Sequence, residues 1–387
     1  MQPEDAARHE QQRRERKAAL VARRVEVTAA KRREEAERAE RRQAEAAQLE
    51  TERLAVAATA ARAFEIYRDV RARAARMRDT AGTNIERSPA EVRLLAQLAP
   101  LWDAGPETVG SLRRACGPIS GVRAEDYALP SPDLMLRLKQ GYRVLRQQVG
   151  DALFVEESPV LGGFGSRRDG HLFNEDTLMF FSALVALDDA AVLPAFRALR
   201  SGPRRLVWES GGGWGGFAYQ FTRVCPNVTY VITAPPELFL VSAVYLATAL
   251  PEARCRFFDA ASPDATWEQW ETADFVFVPD SEVGRFAPPR LDLTVDLGAW
   301  LLMTAGRVRD HARRAFELGS RYVFSVLPAR ASADAVSRVW GNVESWYWLH
   351  PVPPRAETMP AVPPHGAASV PDDVRHSHLV AWRRLHA

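Results

Sequence analysis

From about residue 200 onward, short runs rich in β-branched and aromatic residues alternate with segments whose apolar positions recur at helical spacing. The runs are Arg205-Leu206-Val207-Trp208, Val228-Thr229-Tyr230-Val231-Ile232, Asp274-Phe275-Val276-Phe277-Val278, Leu291-Asp292-Leu293-Thr294-Val295 and Tyr322-Val323-Phe324-Ser325-Val326. Short strand runs separated by helical segments predict a parallel sheet with helices on both faces. Just upstream, Asn174-Glu175-Asp176 has the chemistry of a helix start and precedes apolar residues at Leu178, Phe180, Phe181, Leu184, Val185 and Leu187. No fixed-period repeat is visible.

The first part of the chain reads differently. From about Glu4 to Arg78, Ala, Arg, Glu and Gln dominate with almost no Gly or Pro, predicting one long charged helix or two. Stretches such as Lys31-Arg32-Arg33-Glu34-Glu35 bring opposite charges together on one helix face. Large apolar residues, among them Leu20, Val25, Leu49 and Leu54, are sparse and uneven, so a coiled coil that dimerises or recruits a partner and a merely solvated helix both stay open. The pattern breaks near Asp79-Thr80-Ala81-Gly82. Ser88-Pro89 then opens a helix through Leu94, Leu95 and Leu98, and Pro130-Ser131-Pro132 precedes another through Leu145. The predicted organisation is a charged helix over 1–80, a helical cap or dimer-forming layer over 88–150 and an α/β domain over 151–387.

Composition narrows the class. The net charge of +2 over 387 residues gives no case for nucleic acid. Three cysteines, Cys116, Cys225 and Cys255, have no zinc-ligand spacing, so no metal is expected and a reducing cytoplasm suits the chain. No apolar run approaches membrane-spanning length.

The strongest chemical signal is Glu209-Ser210-Gly211-Gly212-Gly213-Trp214-Gly215-Gly216, placed between a predicted strand and a predicted helix. Bare backbone there lets a nucleotide-like ligand approach the helix N-terminus. Gly211, Gly213 and Gly216 also satisfy the dinucleotide spacing, which keeps a nicotinamide-dependent oxidoreductase open. Glu209 argues for the other ligand: a carboxylate repels a pyrophosphate but pairs with the cationic amino group of S-adenosylmethionine. A tight turn without a ligand is the plain alternative.

With those residues in place, the chain from about Glu156 to the C-terminus resembles the sugar O-methyltransferase family of class I S-adenosylmethionine-dependent enzymes. The resemblance lies in Glu209 to Gly216, in Gly162-Gly163-Phe164-Gly165, Asp169-Gly170 and Asn174-Glu175-Asp176-Thr177-Leu178 upstream, and in Tyr230-Val231-Ile232, Pro236-Glu237 and Tyr245-Leu246 downstream. It implies a Rossmann-like doubly wound sheet, S-adenosylmethionine as cofactor and a sugar or glycosylated acceptor. Two departures matter. Ala234 stands where the family has the Asp that holds the ribose hydroxyls, and Leu301 and Leu302 replace its Gln and Glu. These losses motivate a rival reading, a degenerate methyltransferase fold used as a binding or assembly module.

Candidate bases for removing a hydroxyl proton are Asp296 at a strand end, His171 in a Gly-rich loop and Asp176. Each has a plainer role, as a turn carboxylate, an exposed loop histidine and a helix cap. Cofactor candidates are Glu209, Gly211, Gly212, Gly213, Trp214 and Gly215, with Glu237 facing the ribose and Asp259 the adenine; Glu237 could equally favour a helix start and Asp259 a turn. Trp346-Tyr347-Trp348 could form a sugar-stacking wall or simply pack in the core.

Overall fold

The predicted strands align side by side in one sheet. The structure, a computed structural model, describes residues 60–80, 85–168, 170–198, 202–268, 270–328, 333–344, 346–352 and 376–383. The charged stretch before residue 60, and with it most of the coiled-coil expectation, lies outside the described residues.

A small antiparallel hairpin joins β1 (Ser166–Arg168) to β2 (His171–Phe173). The main sheet contains β3 (Arg205–Ser210), β4 (Val228–Ala234), β5 (Cys255–Phe257), β6 (Phe275–Pro279), β7 (Leu293–Asp296), β8 (Tyr322–Pro328), β9 (Tyr347–Val352) and β10 (His376–Arg383). Its spatial order is β5-β6-β4-β3-β7-β8-β10-β9, parallel except where β10 runs antiparallel to β8 and β9. The helices that matter below are α1 (60–80), α2 (Pro89–Leu98), α3 (Pro132–Val149), α4 (Glu175–Asp189), α5 (Gly216–Val224), α6 (Pro236–Ala249), α7 (Ala305–Glu317) and α8 (Ala333–Val343).

Side-chain chemistry sets these boundaries. Ser88 caps α2 by accepting from Glu91 N at 3.2 Å, and Ser131 caps α3 by accepting from Leu134 N at 3.1 Å, each with Pro in the first turn. Asn174 and Thr177 form a reciprocal box at the head of α4. All seven residues of β4 are buried, the continuous apolar pattern of a parallel strand covered on both faces. α6 shows almost no polar face because it lies in the core, touching β4 and β6 as well as α2 and the short turns of the cap.

The cap is not a separate body. Ala63, Tyr67, Val70 and Ala74 of α1, Leu98 of α2, and Leu112 and Cys116 belong to the same apolar cluster as the sheet strands. The Tyr67 hydroxyl adds a 2.6 Å hydrogen bond to the Leu101 carbonyl.

The path through the sheet positions the site. From β3 the chain moves outward through β4 to β5 and β6, then returns to β7 on the other side of β3. The carboxyl ends of β3 and β7 therefore flank a topological switch point, where open α/β sheets bind their ligands.

Candidate functional site

β3 ends in Glu209 and Ser210, and α5 begins at Gly216, so the predicted strand, glycine turn and helix are all present. Gly211, Gly212, Gly213 and Gly215 have φ of +97°, +59°, +47° and +88°, a left-handed run that L side chains rarely adopt. A Cβ on Gly212 would collide with the Ile232 side chain, and one on Gly211 with Ala299, so the bare backbone also lets β4 and the β7 turn close in. A Cβ on Gly213 would meet only Ile119, at 3.7 Å.

Above this turn lies a cavity of about 190 Å³. Glu209, Ser210, Gly211, Gly212, Gly213 and Trp214 line its floor, with Pro235, Leu238 and the Leu297–Ala299 turn beside them. Leu94 and Leu95 of α2, Ile119, Met179 of α4, and Leu302 close the other side.

The cavity's distinctive polar group is Glu209. Its side chain is fully buried and Oε2 has no hydrogen-bond partner. Desolvation pushes the carboxyl up to about 8; the neighbouring Tyr230 hydroxyl draws it part of the way down, and the charge of Asp296 raises it further. Tyr230 Oη likewise closes no hydrogen bond of normal geometry. A buried carboxyl with one loosely placed hydroxyl beside it and no counter-charge is costly to ionise unless something else completes it.

Beneath the turn, Ser210 Oγ accepts from Trp300 Nε1 at 3.0 Å and lies 2.9 Å from His311 Nδ1. Burial, and the nearby Arg307 charge, hold His311 down at about 3, so the ring is neutral. A neutral ring can then accept the Ser210 proton at Nδ1.

Asp296 does not reach the cavity. It is fully buried at the end of β7, where Oδ1 accepts from Trp300 N at 3.0 Å and Oδ2 from Ser325 Oγ at 2.7 Å. Desolvation raises it to about 6 against those hydrogen bonds. Oδ1 thus holds the Gly298–Leu302 turn in place and Oδ2 ties the end of β7 to β8, a structural task that accounts for the carboxylate.

Asp176 is engaged too. Its Oδ2 accepts from Arg113 Nη2 at 2.8 Å and from Trp214 Nε1 at 3.2 Å. Arg113 Nε donates to Glu157 Oε1 at 2.7 Å, and its guanidinium carbon stands 3.8 Å from the Trp214 ring centre and 4.7 Å from that of Phe164. Asn174 Nδ2 donates to Glu157 Oε2 and to the Phe164 carbonyl. Phe164, Asn174 and Asp176, which carried the upstream resemblance, thus build a buried ionic network that clamps the glycine turn through Trp214. Sequence reasoning missed Arg113, because nothing in Ser111-Leu112-Arg113-Arg114 marks one arginine as fully buried and the next as exposed.

The remaining candidates lie elsewhere. His171 is 40% exposed on β2, with Nδ1 3.7 Å from Glu156 Oε2, in a separate surface cleft with Tyr219 and Arg223. Asp259 is exposed, accepts from Ala261 N at 3.0 Å as a turn residue, and does not line the cavity. Glu237 occupies the first turn of α6 and Gly215 precedes α5; neither lines the cavity. Tyr347 is buried while Trp348 is 58% exposed on β9, so the aromatic cluster divides between core and sheet edge and forms no wall at the glycine turn.

Glu91 enters the cavity from α2, with its oxygens paired to Arg87 at 2.6 Å and Arg307 at 2.6 Å. Asp280, just after β6, meets the same two arginines at 3.0 and 2.6 Å, closing a ring of alternating charge. The Ser88 hydroxyl also donates to the Leu302 carbonyl. α2 is thereby fastened across the carboxyl edge of the sheet.

No protein-family model matches the sequence, and no curated protein matches it either. Among solved structures, the chain is similar to precorrin-6y C5,15-methyltransferase from Geobacter metallireducens GS-15, at 10% identity over 57% of this chain and 94% of that one, with a TM-score of 0.32. It is similar to magnesium protoporphyrin IX methyltransferase from Synechocystis PCC 6803 with bound SAM, at 11% identity over 57% and 87%, with a TM-score of 0.31. The N-methyltransferase NodS from Bradyrhizobium japonicum WM9, in complex with S-adenosyl-L-homocysteine, gives 11% identity over 52% and 88%, with a TM-score of 0.28. Likeness that faint carries neither substrate nor chemistry across, and the functional reading rests on the site. Among the described residues no helix is long and apolar enough to cross a membrane, and no cluster of His, Cys, Asp and Glu could hold a metal ion.

Proposed function

We propose that this chain binds S-adenosylmethionine over the glycine turn and directs its methyl group to a hydroxyl of a small molecule, a sugar or a glycosylated product being the class its sequence resemblance suggests. The observation that carries this reading is the Glu209 carboxyl, buried on the cavity floor at the switch point with the Tyr230 hydroxyl beside it and, among the described residues, no cation paired to it. A primary ammonium supplies the counter-charge that favours the ionised carboxylate, whereas a pyrophosphate would only push the carboxyl further towards its protonated form. The residues present fit the group: Glu209 would pair with the amino-acid tail, Gly211 to Gly213 would pass under it, and Pro235, Leu238 and Leu297 would face the nucleoside.

When bound, the sulfonium supplies an electrophilic methyl group. This chain's own part is to hold the turn rigid through Arg113, Asp176 and Trp214, to keep water out with an apolar cover, and to align the acceptor, the positioning that accounts for much of such acceleration. Ala234 ends β4 without a carboxylate for the ribose, which weakens the donor's hold by about 1.5–3 kcal/mol against a carboxylate at that position.

A second reading has its own support. Glu91 is doubly ion-paired and Glu209 is reserved for the donor, so no lining carboxylate is left to accept a proton. That favours a binding or assembly module that keeps the ligand site without turnover. Calorimetry with S-adenosylhomocysteine tests what the two readings share, and failure to bind it removes both; its formation from S-adenosylmethionine with an acceptor separates them.

A further inference from the structure

The two halves of the cavity differ in chemistry. The floor offers backbone, Glu209 and Ser210, whereas the opposite side presents Leu94, Leu95, Ile119, Met179 and Leu302, each only partly buried. Partly exposed apolar side chains from four separate segments, converging on one opening, mark a ligand surface rather than leftover core. The polar side chains among them are Ser120 and Glu91, and both Glu91 oxygens already serve arginines.

We propose that the acceptor enters this half with an apolar body, an aliphatic or flat aromatic skeleton, and that an unsubstituted sugar does not. For a glycosylated acceptor, the aglycone is the part that lies against Leu95 and Met179. This deepens the methyl-transfer reading and rests on it. A bare hexose brings about five hydroxyls to a surface whose one hydroxyl, Ser120, already accepts from Val122 N and is hydrogen-bonded to Asp176, and each sugar hydroxyl left unpaired loses roughly tenfold in affinity. An alkyl chain gains at the same place, by about two- to fourfold per methylene removed from water.

The test uses the full chain. Calorimetry first establishes whether S-adenosylhomocysteine binds; the loaded protein then receives the fluorescent apolar probe N-phenyl-1-naphthylamine, displaced by glucose or by methyl, butyl or hexyl glucoside. We expect probe binding, no displacement by glucose, and displacement that strengthens two- to fourfold per added methylene. Leu95→Asn should weaken hexyl glucoside about tenfold, while Val92→Asn, on the exposed side of the same helix, should not. A flat series, displacement by glucose, absence of probe binding or equal losses in both variants would overturn the proposal while leaving the donor site intact. Failure of S-adenosylhomocysteine to bind would remove the methyl-transfer reading, and this inference with it.

Discussion

Replacing Glu209 by Gln keeps the shape of the side chain and removes its charge, and the structure fixes how the effect should depend on pH. With the free carboxyl at about 8, about nine molecules in ten carry it protonated at pH 7. Pairing with an ammonium requires the charged form, so binding at pH 7 must expel that proton, costing about 1.4 kcal/mol, or tenfold in affinity. The sign follows: the bound state favours the deprotonated form, so affinity climbs up to about tenfold per pH unit from pH 6 towards 8. It then levels off as the ligand's own amine, near ~8, begins to lose its charge. Calorimetry with S-adenosylhomocysteine in buffers of different ionisation enthalpy should report close to one proton released per ligand at pH 7. Glu209→Gln should abolish both the slope and the proton. It should weaken binding about 10- to 100-fold at pH 8, the worth of a charge-assisted hydrogen bond, and much less at pH 6. Equal affinity of variant and parent at pH 8, or a parent whose binding is flat in pH, would refute the reasoning.

Three further expectations follow from the buried polar groups. Arg113→Ala leaves Glu157 and Asp176 without their counter-charge and should cost about 3–5 kcal/mol in chemical denaturation, with Arg113→Lys recovering only part of it; a loss under 1 kcal/mol would mean the network is not what holds the cap. His311, held at about 3 against an unfolded value near 6.5, contributes stability that is complete above about pH 6.5 and is lost as pH falls towards 3, by up to about 5 kcal/mol. His311→Asn should flatten that acid limb in thermal melts, and an unchanged limb counts against the assignment. Asp296→Ala should lower the melting temperature by removing the acceptor for Trp300 N and Ser325 Oγ, whereas Asp296→Asn should retain S-adenosylhomocysteine binding within a few-fold; loss of binding in a well-folded Asn variant would place Asp296 in the site after all.

The central strands were legible in the sequence because burial on both faces leaves long apolar runs with no competing period, as in Val228 to Ala234. β5 was missed because three residues carry too short a pattern, and β9 and β10 because His350 and Pro351 in one and His376, Ser377 and His378 in the other interrupt the apolar run. At the site, Glu209 and Gly211 to Trp214 could be read because local order alone places them after a strand. Arg113 and His311 could not: their partners lie 44 to 101 residues away, and nothing local distinguishes them from surface residues. For the same reason Asp296, Asp176 and His171 looked alike as carriers of chemistry, though two are locked in buried hydrogen bonds and the third sits in another cleft.

The fastening of α2 has a consequence for how anything gets in or out. Leu94 and Leu95 rest over the glycine turn, while the start of their helix is held by guanidinium groups that it shares with Asp280. Lifting that end would separate four ionic groups, three of them largely buried, and would pull Leu94 and Leu98 from the apolar cluster they share with the sheet. The cover over the glycine turn is therefore clasped by charges that added salt screens far less than it does exposed pairs, and the apolar burial that holds the sheet backs them up.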